Sequence, residues 1–166
     1  MTPLTGPEVP VTVRTDDARF ANLPGYPFTP NYAELRNPYA DGTLRMHYVD
    51  EGPKDSPVVL MAHGEPTWSY VYRKMIPVFA AAGLRAIAID HIGFGRSDKL
   101  TRPSHYTFET HIEWLRELVL HLDLRDITIV CQDWGGPIAM AVLAREPDRF
   151  ARVAAGNTML HTAEAP

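Results

Sequence analysis

The chain has 166 residues, 45% hydrophobic and 22% charged, with a formal net charge of −4 at pH 7. That length supports one domain with a sizeable core, and the mildly acidic balance gives no reason to expect nucleic acid or an anionic membrane as a partner. The one cysteine, Cys131, excludes an internal disulfide framework and fits a reducing, cytoplasmic compartment. No apolar run approaches the ~20 residues of a membrane span. The start, Met1-Thr2-Pro3-Leu4-Thr5-Gly6-Pro7, has neither a basic nor an apolar region, so no signal peptide is expected.

Residues 1 to about 40 are rich in proline and turn formers, punctuated by Phe20, Tyr26, Phe28, Tyr32 and Tyr39. They read as an extended arm laid over a core at 41–166, with the aromatics as packing anchors. Residues 44–52 alternate and end in a turn signal, which predicts a strand with one exposed face. The continuous apolar run 57–62 predicts a strand buried on both faces. A loop, His63-Gly64-Glu65-Pro66-Thr67, interrupts it, and 68–82 reads as a helix with Tyr72, Met75, Ile76 and Phe79 along one side. A strand at 84–90, a glycine-rich loop at 91–98 and a second helix at 106–122 follow. Then come a strand at 127–131, a helix from Gly135 to about residue 144, and a short strand at 151–156. Strands alternating with helices predict an α/β fold with a doubly wound, mostly parallel sheet. Ligands of such sheets bind beyond the carboxyl ends of the strands, where His63 to Glu65, Asp90 and Asp133 fall.

The stretch from Ile127 to Met140 carries the chemistry. A β-branched run stops at Cys131, a small-residue helical pattern begins at Gly135, and one carboxylate and one indole lie near the junction. This is the layout of a nucleophile elbow, where a buried strand feeds a sharp turn and a helix departs at once. Gly135 and Gly136 supply the small residues that such a turn needs. The nucleophile position holds Asp133 rather than Ser. A carboxylate is already an anion and needs no base to activate it. It can displace a leaving group from a saturated carbon, forming an ester that water must then attack with help from an oxyanion hole. The helix start beside Asp133 favours its ionised form. Taken alone, Asp133 can also be read as a helix N-cap, Trp134 as a core aromatic, and Glu65 as a solvated loop residue.

Three segments, His63-Gly64-Glu65-Pro66-Thr67-Trp68-Ser69-Tyr70, Gly93-Phe94-Gly95-Arg96-Ser97-Asp98 and Gln132-Asp133-Trp134-Gly135-Gly136, resemble in order the haloalkane dehalogenases of the α/β-hydrolase superfamily. The likeness is to the subfamily with Glu after the His-Gly pair, and it extends into the arm from Arg19 to Tyr32. The resemblance implies hydrolysis of a small haloalkane to alcohol and halide, with no cofactor and no metal. It implies Asp133 as the nucleophile and Trp134 as a halide-binding donor, an indole N–H being suited to an anion. The backbone N–H groups of Glu65 and Trp134 become the oxyanion hole, and the Glu65 side chain helps to position water. Partners would be haloalkane, halide and water, and the full-length form is expected to be a monomer.

In the family the catalytic base follows the nucleophile in chain order, so His63 reads as structural and Asp90 as a loop-shaping residue. His161 follows Asp133 too closely to match that base. His47, His91, His105, His111 and His121 have no ligand-like spacing. The family's cap domain, last core strands, second carboxylate and catalytic His have no counterpart in these 166 residues, so the chain is expected to resemble the N-terminal half, an incomplete α/β-hydrolase fold with impaired turnover. Two other readings stand beside this one: an epoxide hydrolase with the same Asp elbow, and a non-catalytic partial domain. Asp133 itself disfavours an ordinary Ser esterase.

Overall fold

A computed structural model describes residues 12–159; the first residues of the arm and His161 lie outside the described residues. The strands in chain order are β1 (Thr12–Val13), β2 (Asn31–Arg36), β3 (Thr43–Glu51), β4 (Val58–Ala62), β5 (Arg85–Ile89), β6 (Lys99–Leu100), β7 (Ile127–Gln132) and β8 (Phe150–Gly156). The α-helices are α1 (Ile76–Ala81), α2 (Phe108–His121) and α3 (Gly135–Arg145).

The apolar run at 57–62 becomes β4, buried at every position and set inside the sheet. Six strands form that sheet in the order β2-β3-β5-β4-β7-β8. The pairs β5·β4, β4·β7 and β7·β8 are parallel, while β2·β3 and β3·β5 are antiparallel. The sheet is therefore mixed and mostly parallel, as the alternation of elements predicts. The chain moves from β4 outward to β5 and then crosses back to lay β7 on the other side of β4. This reversal leaves the loops after β4 and β7 side by side, at the place where α/β sheets bind ligands.

Apolar side chains cover both faces. On one face Leu60, Ile87, Ile89 and Ile129 pack with Ile112, Trp114, Leu115 and Leu118 of α2 and with Ile138, Ala139 and Val142 of α3. On the other face Val59, Met61, Ala86 and Ala88 pack with Ile76 of α1, Tyr72 and Tyr26. Thr107 caps α2 reciprocally with Thr110, its Oγ1 accepting from the Thr110 N–H at 3.1 Å while the Thr107 N–H donates to Thr110 Oγ1 at 3.0 Å.

Two elements differ from expectation. The helix expected at 68–82 is a 3₁₀ turn, Ser69–Tyr72, followed by the six-residue α1. Pro77, which has no N–H to give, takes the second position of α1 and lets the helix begin only there. Within the segment assigned to the arm, Asn31–Arg36 is an edge strand of the main sheet, with Ala33 and Leu35 buried against the core. The arm aromatics Phe20, Tyr26 and Phe28 cluster around Trp68 and Tyr70, and the Tyr26 hydroxyl lies 2.6 Å from Ser69 Oγ. No helix among the described residues is long and apolar enough to cross a membrane.

Candidate active site

The parallel register between β4 and β7 pairs Ala62 with Cys131, so the carboxyl ends of both strands stand level. Asp133 follows β7 with φ +49°, a left-handed conformation that is sparsely populated by non-glycine residues and in which Asp and Asn are enriched. Its Oδ1 accepts the Glu65 N–H at 2.9 Å. The carboxylate thus faces the loop after β4, and Trp134, with no side-chain capping bond, is the N-cap of α3. The capping alternative for Asp133 is thereby removed: its side-chain oxygen is turned toward the neighbouring loop and away from the first turn of its own helix.

Close approach fixes the glycines here. A Cβ on Gly135 would lie 2.2 Å from the Ala62 carbonyl oxygen, so α3 could not start so near β4 with any larger residue. A Cβ on Gly64 would meet Asp133 Oδ1 at the same distance, 2.2 Å.

Trp134 is 47% exposed, with its ring 6.2 Å from that of Phe108 at the start of α2. Among the described residues this indole is not buried as a core aromatic. Trp134, Glu65, His63 and Gly64 line an open cavity of about 510 Å³, together with residues that include Phe94, Phe108, His111 and Ile138. A smaller cavity of about 260 Å³, lined by Asp133, Trp134, Pro137, Asn157, Thr158 and Met159, opens on the other side.

His63 is fully buried, and both of its ring nitrogens are engaged: Nδ1 with the Gly64 carbonyl at 2.9 Å, and Nε2 with the His91 N–H at 2.9 Å. Accepting from that N–H leaves Nδ1 to donate, so the ring is a neutral strut. Burial pushes its pKa down, against the opposing effects of the Gly64 carbonyl and Asp90. Asp90 is likewise fully buried at the end of β5. It accepts the Ser69 N–H, the Arg96 N–H and the His47 ring, each at 2.8 Å, and so ties the turn after the Glu65 loop to the glycine-rich loop and to β3. Burial alone would raise its pKa, but the His47 bond, His47 charge and the backbone donors outweigh it and hold the carboxyl below the ordinary carboxylate value. Among the described residues no histidine is hydrogen-bonded to Asp133, and no group of His, Cys, Asp and Glu is arranged to hold a metal ion. Two neighbours of the elbow, Asn157 and Thr158, went unnoticed in the sequence: the Asn157 carbonyl accepts the Asp133 N–H at 2.9 Å, and Thr158 Oγ1 donates to the Asp133 carbonyl at 2.6 Å. No local sequence signal points to them, since only the β7·β8 pairing brings them there.

Comparison with known proteins agrees with this architecture. A haloalkane dehalogenase of Psychrobacter cryohalolentis is 55% identical over 152 residues, which span 92% of this chain and 50% of that protein. The tetrameric haloalkane dehalogenase DpaA of Paraglaciecola agarilytica superposes with a TM-score of 0.86 at 48% identity, over 93% of this chain and 51% of its own. Its tetrameric state differs from the monomer expected above for a full-length form. A solved structure described under novel epoxide hydrolases from hot-environment metagenomes matches less closely, with a TM-score of 0.70 and 32% identity over 79% of this chain and 42% of its own. The chain spans about half the length of the curated relatives it matches, corresponding to their N-terminal half. The family model for the alpha/beta hydrolase fold matches residues 57–166, and the chain belongs to that family.

Proposed function

We propose that this chain carries the nucleophilic half of a haloalkane dehalogenase, with Asp133 as nucleophile, Trp134 as halide donor, and the backbone N–H groups of Glu65 and Trp134 as the oxyanion hole. The observation that carries the reading is the Asp133 carboxylate, held on a left-handed turn against the Glu65 N–H and free of helix capping. A carboxylate oxygen attacks the carbon that bears halogen; the new C–O bond forms as the C–X bond breaks, and the electron pair leaves with the halide. The charge thus moves from the carboxylate to the halide, which can accept a hydrogen bond from an indole N–H. Water then adds to the ester carbonyl, and the Glu65 N–H that touches Asp133 Oδ1 is placed to hold the resulting oxyanion. That second step needs a general base. His63 cannot serve, because both of its nitrogens are occupied. The base for that step is therefore sought elsewhere than at His63.

The test is intact-protein mass spectrometry after incubation with 1-bromobutane. The expected result is a gain of one butyl group, absent in Asp133→Ala. No adduct and no bromide release would refute the reading. The epoxide-hydrolase alternative predicts instead an adduct with butylene oxide and none with the bromide.

A further inference from the structure

We infer that Thr158, together with the backbone carbonyl of Asn157, is a positioning clamp that holds Asp133 in its reactive conformation. The inference rests on the proposed role of Asp133 as nucleophile. A residue at φ +49° sits in a sparsely populated region that aspartate tolerates but does not favour, so hydrogen bonds to its flanking peptides decide how firmly it is held there. Restraint requires that both peptide planes flanking its Cα be fixed. The plane before Asp133 is fixed through its N–H, which donates to the Asn157 carbonyl at 2.9 Å. The plane after it is fixed through its carbonyl, which receives the Thr158 hydroxyl at 2.6 Å and the Gly136 N–H at 3.1 Å. Two of these three bonds come from one dipeptide on a different strand end. With both planes held, the side chain reaches the Glu65 N–H at 2.9 Å.

The clamp has a clear origin in the fold. In the parallel β7·β8 ladder Gln132 pairs with Gly156, so the residues just past each strand, Asp133 and Asn157, stand level with one another. Asn157 also has positive φ, +48°, and turns the chain so that Thr158 follows over the elbow. The contact leaves no room beneath it: a Cβ on Gly136 would lie 1.9 Å from Thr158 Oγ1. The second glycine of the elbow is thus explained by the threonine above it, a residue 22 positions further along the chain. Asn157 and Thr158 also line the cavity of about 260 Å³ that Asp133 and Trp134 share, so the clamp borders the space beside the nucleophile without contributing a reacting group.

The test compares Thr158→Val, which keeps shape and removes the hydroxyl, with Thr158→Ser, which keeps the hydroxyl, in the full 166-residue chain. Two readouts are taken: alkylation by 1-bromobutane followed by mass, as rate against concentration, and amide hydrogen exchange at Asp133 and Glu65 by NMR. Removing one hydrogen bond to the nucleophile's carbonyl should slow saturated alkylation by about tenfold while the half-saturating concentration moves by less than about twofold. Exchange at Asp133 and Glu65 should quicken by about tenfold, and Thr158→Ser should restore both readouts to within about twofold. Thr158→Ala, which cannot crowd Gly136, replaces the valine variant if that one fails to fold. Wild-type exchange and wild-type alkylation in the valine or alanine variant would overturn the inference. A wild-type chain that forms no adduct would overturn the functional reading, and the exchange comparison alone would then decide the clamp.

Discussion

Replacing Asp90 by alanine should destabilise the protein more than any other single loss of charge. The carboxylate is fully buried and accepts three hydrogen bonds, from the Ser69 N–H, the Arg96 N–H and the His47 ring. Bonds to a charged group contribute about 1.5–3 kcal/mol each, and they share one acceptor, so they do not add in full. Leaving the donors buried without a partner should cost about 3–5 kcal/mol, a large part of the roughly 5–15 kcal/mol that a domain commands. Asp90→Asn keeps one acceptor oxygen but turns an N–H₂ toward donors, and should fall between, at about 2 kcal/mol. The assay is urea unfolding at pH 7 followed by far-UV circular dichroism. The pH dependence has a definite sign. The folded carboxyl titrates below its ordinary value of 3.8, so its contribution is complete above the ordinary carboxylate range and disappears as pH falls through the lower folded value. The alanine variant should lack that acid-dependent loss. A cost under about 1 kcal/mol, or an unchanged acid profile, would refute the network as the tie between these loops.

Three further outcomes follow from geometry. Gly135→Ala places a Cβ 2.2 Å from the Ala62 carbonyl oxygen and 2.6 Å from that of His63, both backbone atoms, and should cost about 3 kcal/mol or prevent folding, as read by the same urea titration. His111, against the cavity wall, has its pKa lowered to about 4 by burial first and by His63 second, so the unfolded chain takes up a proton that the folded one refuses. Stability should therefore fall by about 2–3 kcal/mol between pH 6.5 and pH 4, and His111→Phe should flatten that slope in urea titrations across the range. Among the described residues, strand β8 is exposed at six of its seven positions, with Val153 at 48%, and pairs on one side only. Val153→Lys should shift sedimentation velocity toward a single slow species at high protein concentration, because a charge on an edge strand opposes edge-to-edge pairing.

Much of this fold is legible in local patterns because burial imposes them. The five buried residues of β4 leave an unbroken apolar run, and the strand, turn and helix around Asp133 leave their own composition within a dozen residues. Where the reading failed, a local cue was outvoted by a regional one. Ala33 and Leu35 alternate with Glu34 and Arg36 as a half-buried strand should, but Pro30 and Pro38 made the whole segment read as arm. Pro77 lay inside the expected helix at 68–82 and marks the place where α1 actually starts.

The site divides along the same line. Asp133, Trp134 and Gly135 are adjacent in sequence, so their relation is written locally. Glu65 reaches Asp133 from 68 positions away, and Thr158 reaches it from 25 positions the other way. Both contacts depend on β4 and β8 standing on either side of β7, an order that follows from how the sheet reverses and leaves no trace in any short window. The elbow is thus a local motif whose contacts come from outside it. Its backbone conformation is held by the strand end on one side, and its carboxylate is received by the loop on the other. A substitution at Thr158 would leave the elbow's own sequence intact while removing one of the bonds that hold its backbone.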